Sequence, residues 1–210
     1  MKTLLLLSAC CLILAAVPAT AQTVYSNGPI NGNNDAWSIN FGFIVSDTFN
    51  VTNNGTTITG ASFGIWLFAG STFPFDELSI TSGENSGTSY FDQTVNFTQG
   101  PCTVNQYGYE VCQENTNLNG NGPTLNAGTY WLNLQGCNLP ECPTAFWDEN
   151  SGPSMASENS VGSIPSESFT ILGTSSSTST TTTSVPEPSS IMLLGSGMLA
   201  LAGLARRRLF

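Results

Sequence analysis

Apolar and polar residues alternate along one stretch near the start of the central region. Between residues 36 and 51, every second position of the first half is apolar, at Trp37, Ile39, Phe41, Phe43 and Val45. Successive side chains of a strand point to opposite faces, so this period of two predicts a β-strand with one buried face. We place that strand over Ala36–Val51.

Further short β-rich runs follow, separated by Gly, Asn, Pro and Ser. They lie at Thr57–Phe68, Glu77–Thr81, Thr88–Thr98, Tyr107–Glu114, Gly128–Leu134, Ala145–Asp148 and Ser168–Leu172. The tripeptide Asn53-Asn54-Gly55 predicts a hairpin turn between the first two strands. Eight or nine strands without a convincing helix predict an all-β domain, an antiparallel β-sandwich of jelly-roll type. We expect its core to contain Trp66, Phe68, Tyr130, Trp131 and Trp147.

The N-terminal segment has the pattern of an export signal. Lys2 precedes an apolar run over Leu4–Val17, and Ala19 and Ala21 supply small residues before Gln22. Charge, then apolar residues, then small residues predict a signal peptide, residues 1–21, cleaved after Ala21. A lipoprotein cleavage box ending at Cys10 is the alternative, but few apolar residues precede it.

The C-terminal segment has the pattern of a short membrane span. Pro186-Glu187-Pro188 precedes an apolar stretch over residues 190–205, and the cluster Arg206-Arg207-Arg208 follows. The arginines predict a cytoplasmic end for a transmembrane helix. Its fifteen apolar residues, Ile191–Ala205, span only about 22 Å of helix against a hydrocarbon core of roughly 30 Å, so insertion is expected to be marginal. The alternative is a plain C-terminal anchor.

Residues 185–210 together resemble the PEP-CTERM sorting domain. The resemblance rests on Pro186-Glu187-Pro188, the short apolar helix and the terminal arginines. It implies recognition and cleavage by an exosortase during export, with transient residence in the inner membrane. It also implies a Gram-negative host that makes exopolysaccharide and biofilm, and a cell-surface or extracellular destination. The run Thr129–Leu134 resembles a strand of secreted β-sandwich domains in such proteins.

A Ser/Thr-rich segment at residues 174–184 separates the domain from the tail. Its composition cannot bury a core and is typical of a solvated linker. The predicted organisation is therefore a signal peptide at 1–21, a β-sandwich ectodomain at 22–173, a linker at 174–184 and a sorting tail at 185–210.

Charge is distributed unevenly along the chain. The 210 residues include four basic side chains, all at the extreme ends, and no histidine, and the net charge is −10. Of the 14 acidic residues, all but Glu187 lie between Gln22 and Val185. Nucleic acids gain affinity from Lys and Arg near phosphates, so the central region is not expected to bind them.

The cysteines predict disulfides. Cys10 and Cys11 leave with the signal peptide, which leaves four cysteines in an oxidising compartment. The spacing favours local pairing of Cys102 with Cys112 and of Cys137 with Cys142, although three pairings are possible. A zinc site is the alternative, but no CxxC pair and no histidine are present.

Catalytic chemistry has few candidate residues. Without histidine, nucleophilic catalysis of the Ser-His-Asp or Cys-His kind is not expected. A glycosidase needs two carboxylates at a defined separation. The candidate pairs are Asp76 with Glu77, Glu110 with Glu114, and Asp148 with Glu149. We expect all of them to be solvated surface acids instead, and no cofactor and no catalytic residue are predicted.

Two binding functions are compatible with the sequence. Oxygen ligands suited to a structural calcium ion are plentiful in Asn31–Asp35 and Asp148–Asn150, without the spacing of a known loop. Sugars stack on exposed aromatic rings, for which Tyr90, Tyr107, Tyr109 and Trp147 are candidates, unless these rings belong to the core.

The sequence therefore favours a non-catalytic exported protein that contributes to exopolysaccharide or biofilm matrix. A carbohydrate-binding β-sandwich module is the first alternative. A glycoside hydrolase with a carboxylate pair is the second.

Overall fold

The computed structural model describes residues 21–136 and 143–175, which form strands and turns without a helix. The strands are β1 (Gln22–Ser26), β2 (Ala36–Ser38), β3 (Val45–Val51), β4 (Thr56–Leu67), β5 (Phe75–Gly83), β6 (Ser86–Val104), β7 (Glu110–Asn117), β8 (Thr124–Leu125), β9 (Gly128–Gln135), β10 (Ala145–Asp148), β11 (Ala156–Glu158), β12 (Gly162–Ile164) and β13 (Phe169–Ser175). The all-β prediction is confirmed.

Several predicted features lie outside the described residues. They are the signal peptide up to Thr20, the pair Cys137 and Cys142, most of the linker, and the sorting tail with its span at 190–205. Within the described ranges, no helix has the length and apolar character needed to cross a membrane. At the domain borders, β1 begins at Gln22, directly after the predicted cleavage site, and β13 continues two residues into the predicted linker.

The strands form one large antiparallel sheet with a continuous path of hydrogen bonds. Its order is β1-β13-β4-β7-β6-β5-β9-β3-β11-β12, while β10 pairs with β2 and β4, and β8 pairs with β4. The long strand β6 connects the two halves of this path. Its first part pairs with β5, up to Asn96, and its last part pairs with β7, from Phe97 onwards.

Side chains from both ends of the path share one core. The rings of Tyr25 in β1 and Phe49 in β3 are 6.4 Å apart, although these strands do not pair with each other. Phe63 in β4 contacts the rings of Phe97 and Trp147 at 5.7 and 5.5 Å. The sheet therefore curves so that strands far apart in its order cover the same apolar interior.

The strand predicted over Ala36–Val51 is interrupted. A turn at Asn40 separates β2 from β3, with the amide of Phe43 donating to the carbonyl of Asn40 at 3.1 Å. Phe41 adopts a left-handed φ of 61° there and is 61% exposed. The apolar alternation therefore does not mark one buried face, because this turn takes Phe41 and Phe43 out of the ladder.

The hairpin predicted at Asn53-Asn54-Gly55 is wrong, although a turn does occur there. Gly55 has a φ of 70°, which suits glycine. The two strands that this turn joins do not pair, since β3 pairs with β9 and β11 whereas β4 pairs with β13, β7, β8 and β10. The turn thus carries the chain from one half of the sheet path to the other.

The predicted core is correct for three of its five members. Trp66, Tyr130 and Trp147 are buried, whereas Trp131 is half-buried and Phe68 is 51% exposed. Phe68 follows the last residue of β4, where the chain leaves the sheet. The two-sheet jelly roll stays a prediction, since the strands form one continuous ladder.

Candidate functional site

The β6–β7 hairpin presents two tyrosines on a fixed turn. In this turn the side-chain oxygen of Asn105 accepts hydrogen bonds from the amides of Tyr107 and Tyr109, both at 3.0 Å. The amide of Asn105 donates to the carbonyl of Tyr109 at 2.9 Å, and Gly108 takes a φ of 84°. The predicted strand Tyr107–Glu114 therefore starts later, at Glu110, because local Asn hydrogen bonds satisfy the backbone before it.

A disulfide closes the base of this hairpin. Cys102 of β6 and Cys112 of β7 lie opposite each other in the ladder and are joined. This is one of the two local pairings that the spacing favours. Because it spans adjacent strands next to the turn, the disulfide restricts the hairpin that carries Tyr107 and Tyr109.

Aromatic rings gather around this hairpin to form what we call the aromatic patch. Its members are Trp66, Phe68, Tyr107, Tyr109 and Phe146. Trp66 stacks on Tyr107 with ring centroids 5.9 Å apart and an interplanar angle of 27°. Tyr109 contacts Trp66, Phe68 and Phe146 at 5.8, 5.2 and 5.6 Å. Three chain segments thus meet in one cluster of rings.

The aromatic patch has a buried floor and an exposed surface. Trp66 is buried, and its indole N–H donates to Oδ1 of Asp148 at 2.6 Å. Tyr107 is 57% exposed, Phe68 is exposed to a similar degree, and Tyr109 and Phe146 are half-buried. Since Trp66 is held by a hydrogen bond to a carboxylate, the rings stacked on it have a fixed base.

Polar groups border the aromatic patch. The side-chain amide of Gln106 donates to the carbonyl of Asn33 at 3.3 Å, and Oε2 of Glu110 accepts from the amide of Gly70 at 3.2 Å. Exposed apolar rings with adjacent amide and carboxylate groups provide both stacking surfaces and hydrogen-bonding groups. Such an arrangement suits a ligand with apolar C–H faces and hydroxyl groups.

The structure brings together only two of the four aromatic residues predicted to bind sugars. Tyr107 and Tyr109 lie in the aromatic patch. Trp147 belongs to the core with 0% exposure, and its indole N–H donates to the carbonyl of Ser168 at 2.9 Å. Tyr90 is 41% exposed but packs edge-to-face on Tyr130, 5.2 Å away, on another strand.

Sequence reasoning missed Phe68 and Phe146 as patch members. The apolar pattern predicts a core position for Phe68, and Phe146 lies in the same apolar run as the buried Trp147. Their ring centroids lie 6.5 Å apart because β10 pairs with β4, although these two strands are far apart in the chain. No local pattern in the sequence predicts that pairing.

The predicted carboxylate pairs are split between interior and surface. Asp76, Glu114 and Asp148 are buried, whereas Glu77 is exposed and Glu110 and Glu149 are half-buried. The expectation that all six acids are solvated is therefore wrong. Neighbouring residues of a strand face opposite sides, which separates Asp76 from Glu77 and Asp148 from Glu149, and this geometry does not favour a paired catalytic site.

The two segments predicted to bind calcium do meet, through the carboxylate of Asp148. Its Oδ2 accepts from the amide of Asn31 and its Oδ1 from the amide of Gly32, both at 2.9 Å, in addition to Trp66. Three N–H donors thus surround this carboxylate, which does not favour a cation there. Across the described ranges, no three Asp, Glu or Cys side chains are arranged to hold a metal ion.

Comparison with known proteins identifies the C-terminal segment. Residues 184–208 match the family model of the PEP-CTERM protein-sorting motif, and this span includes the predicted Pro186-Glu187-Pro188 and arginine cluster. The chain therefore carries this motif, as the sequence predicted. No curated protein matches the chain.

We predict that removing the disulfide destabilises the domain. Its loop is short, with a sequence separation of 10. Replacing Cys102 and Cys112 together by Ser should lower the free energy of unfolding by about 2–3 kcal/mol, measured by urea unfolding. The control is Val104→Ser at an exposed position of the same strand, which should change little; equal midpoints for both variants would contradict the prediction.

We also predict that Glu114 makes stability depend on pH. Burial raises the pKa of Glu114 from its ordinary 4.5 to about 7, and neither side-chain oxygen has a partner. The unfolded chain releases this proton at lower pH than the folded protein does. Hence the contribution of Glu114 to stability is greatest below pH 4.5 and declines as the pH rises through about 7.

Glu114→Gln should remove that decline. The variant and the parent should unfold at similar urea concentrations near pH 4, and the variant should be the more stable one at pH 8. Asp92→Asn, at an exposed position of β6, is the control and should not show this gain in stability at pH 8. A stability difference that does not change with pH would refute the role of Glu114.

Proposed function

We propose that this chain, which carries a PEP-CTERM sorting motif, is a non-catalytic component of an extracellular exopolysaccharide or biofilm matrix. The motif implies processing by an exosortase, export, and membrane-anchored transit to the cell surface. Delivery by this route supports a role outside the cell, and the matrix assignment goes beyond the motif itself.

The properties of the domain support a binding role rather than catalysis. Residues 22–185 contain no Lys, Arg or His, so the bases and cationic groups that most hydrolytic mechanisms use are missing. Each candidate carboxylate pair has one member inside the fold. We therefore infer that the domain is not an enzyme, and a glycoside hydrolase is the least supported alternative.

The fold that we infer for this role is a jelly-roll-like sandwich. The passage of β6 from β5 to β7, together with the contact of Tyr25 with Phe49, supports a sheet folded over one core. In such a fold the turns at either end are available for binding, as with the turn that carries Tyr107.

We propose carbohydrate binding at the aromatic patch as the means by which the protein associates with the matrix. The observation that favours it is the placement of exposed Tyr107 on the buried Trp66, with exposed Phe68 packed beside it on Tyr109. Exposed clusters of large apolar side chains that are bordered by polar groups often mark binding sites. The ligand class is a polysaccharide whose sugar rings present apolar C–H faces to these aromatic rings.

Export and sorting predict a defined mature chain. The protein recovered from the envelope and from the medium of its host should begin at Gln22 and end between Val185 and Ser189, as read by intact mass. Replacing Pro186 and Glu187 together by Ala should leave the tail attached. A wild-type mass that retains residues 191–210 in both fractions would mean a plain anchor and would remove the support for matrix delivery.

Carbohydrate binding predicts a selective loss in aromatic patch variants. Tyr107→Ala should weaken binding to exopolysaccharide purified from the host by up to about tenfold, because one stacked ring contributes about 0.5–1.5 kcal/mol. Phe68→Ala should act in the same direction. The measurement is affinity electrophoresis in gels that contain the polysaccharide.

Tyr90→Ala is the matched control, since Tyr90 is an exposed tyrosine outside the aromatic patch. It should bind as the parent does. Equal binding by the parent and the two patch variants, or equal losses in all three variants, would show that the aromatic patch is not the site.

A further inference from the structure

Oxygen atoms from three distant parts of the chain meet around the side chain of Asn27. Nδ2 of Asn27, just after β1, lies 3.3 Å from Oδ2 of Asp47, 2.6 Å from Oγ of Ser154 and 2.6 Å from the carbonyl of Glu167. Oδ2 of Asp47 also accepts from the amide of Glu167 at 2.7 Å. Since an amide nitrogen carries two hydrogens, it cannot donate fully to three oxygens.

Two buried acids in this region have oxygens without partners. Asp47 and Glu167 are both fully buried. Neither carboxylate oxygen of Glu167 has a hydrogen-bond partner, and neither has Oδ1 of Asp47. Burying a carboxylate without partners costs several kcal/mol, so native proteins rarely leave such oxygens unmatched.

The local charge makes the arrangement more costly. Burial raises the pKa of Glu167 well above its ordinary value, and the charges of Asp47, Glu149, Asp148 and Asp35 raise it further. Glu149 and Glu167 also face each other across an isolated antiparallel bridge. No cationic side chain occurs between residues 22 and 185, so this part of the chain cannot neutralise the cluster by itself.

From these contacts we infer a calcium site in which the carboxylates of Asp47 and Glu167 bind the ion, supported by neutral oxygens of Ser154, Glu167 and Asn27. Carboxylate, hydroxyl and carbonyl oxygens in a mixed set are the ligands that Ca²⁺ takes, six to eight at a time. Nitrogen and sulfur ligands suited to zinc are not among these atoms.

Asn27 can adapt to a cation without moving its backbone. A half-turn of its carboxamide places Oδ1 where Nδ2 lies, which adds an oxygen to those of Asp47 and Ser154. The Tyr25 hydroxyl, 3.0 Å from Oδ1, then accepts from the nitrogen instead of donating, as a phenol can do. This site is separate from the Asn31–Asp35 segment, whose neighbour Asp148 is occupied by N–H donors.

Calcium at this position stabilises the fold by linking distant segments. Asn27 follows β1, Asp47 belongs to β3, Ser154 precedes β11 and Glu167 precedes β13. An ion held by these segments connects the two ends of the sheet path. Extracellular modules bind Ca²⁺ with dissociation constants of roughly 10⁻⁴–10⁻³ M, an affinity suited to a protein exported from the cell.

The test measures thermal unfolding of the protein expressed as the full chain and purified after export. It is stripped with a chelator and then titrated with CaCl₂, and separately with MgCl₂ and with KCl at matched ionic strength. At calcium 100-fold above the dissociation constant, Tm should rise by about 5–10 °C. Isothermal titration calorimetry should report one site. Magnesium should act weakly because it demands a smaller octahedral shell.

The variant Glu167→Gln distinguishes calcium binding at this site from a general effect of charge on stability. It keeps the shape of the side chain and removes a buried negative charge, so the stripped variant should be at least as stable as the stripped parent. It should lose the calcium response, as should Asp47→Asn. Glu114→Gln is the matched control, a buried acid without partners outside this cluster, and it should keep the full response.

Three results would overturn the inference. They are no calorimetric binding of Ca²⁺ to the parent, an equal Tm rise from Ca²⁺ in Glu167→Gln and the parent, or equal responses to calcium and magnesium. The first result would mean that Glu167 is accommodated in its protonated form. The second would place any bound ion elsewhere on this acidic domain.

Discussion

The hydrogen bonds to the buried carboxylate of Asp148 connect the aromatic patch to the strands and the loop around it. They join the indole of Trp66 to the amides of Asn31 and Gly32, and so connect strand β4, strand β10 and the loop between β1 and β2. Each is a charge-assisted bond, which is shorter and stronger than one between neutral groups. The floor of the aromatic patch therefore depends on an acid that lies well inside the fold.

A second constraint is the lack of any cation to balance the acids. In most proteins a buried carboxylate is paired with Lys or Arg, but here all four basic residues lie at the chain ends. Asp148 is balanced by N–H donors. Glu114 has no partner, and burial raises its pKa to about 7. Asp47 and Glu167 carry unpartnered oxygens in segments that a hydrogen bond joins, an arrangement that an external divalent ion can neutralise. The lack of cations thus has three different consequences: N–H donors surround Asp148, the pKa of Glu114 is raised, and Asp47 and Glu167 keep unpartnered oxygens.

Local signals in the sequence were sufficient for some features and misleading for others. The β-rich runs between turn residues predicted that strands are present. Cys102 and Cys112 form a disulfide, as their spacing favours. The alternation from Trp37 to Val45 misled because a left-handed turn at Phe41 is compatible with the same pattern. The Asn53-Asn54-Gly55 turn was recognised, but a turn signal does not say whether the strands on either side pair. Burial of the acids was missed because composition favours exposure, and only non-local donors or packing overturn that expectation.

By itself, the sequence determined the features whose physical cause is local. These are the β content, the turns, the predicted export signals, the C-terminal sorting motif and the absence of basic side chains from the domain. Tertiary structure alone decided which strands pair, and with that which side chains meet. Phe68 joins Phe146 because β4 pairs with β10, and Asp47 approaches Glu167 although 120 positions separate them. Contacts of this kind depend on the packing of the whole core, which no short window of sequence contains.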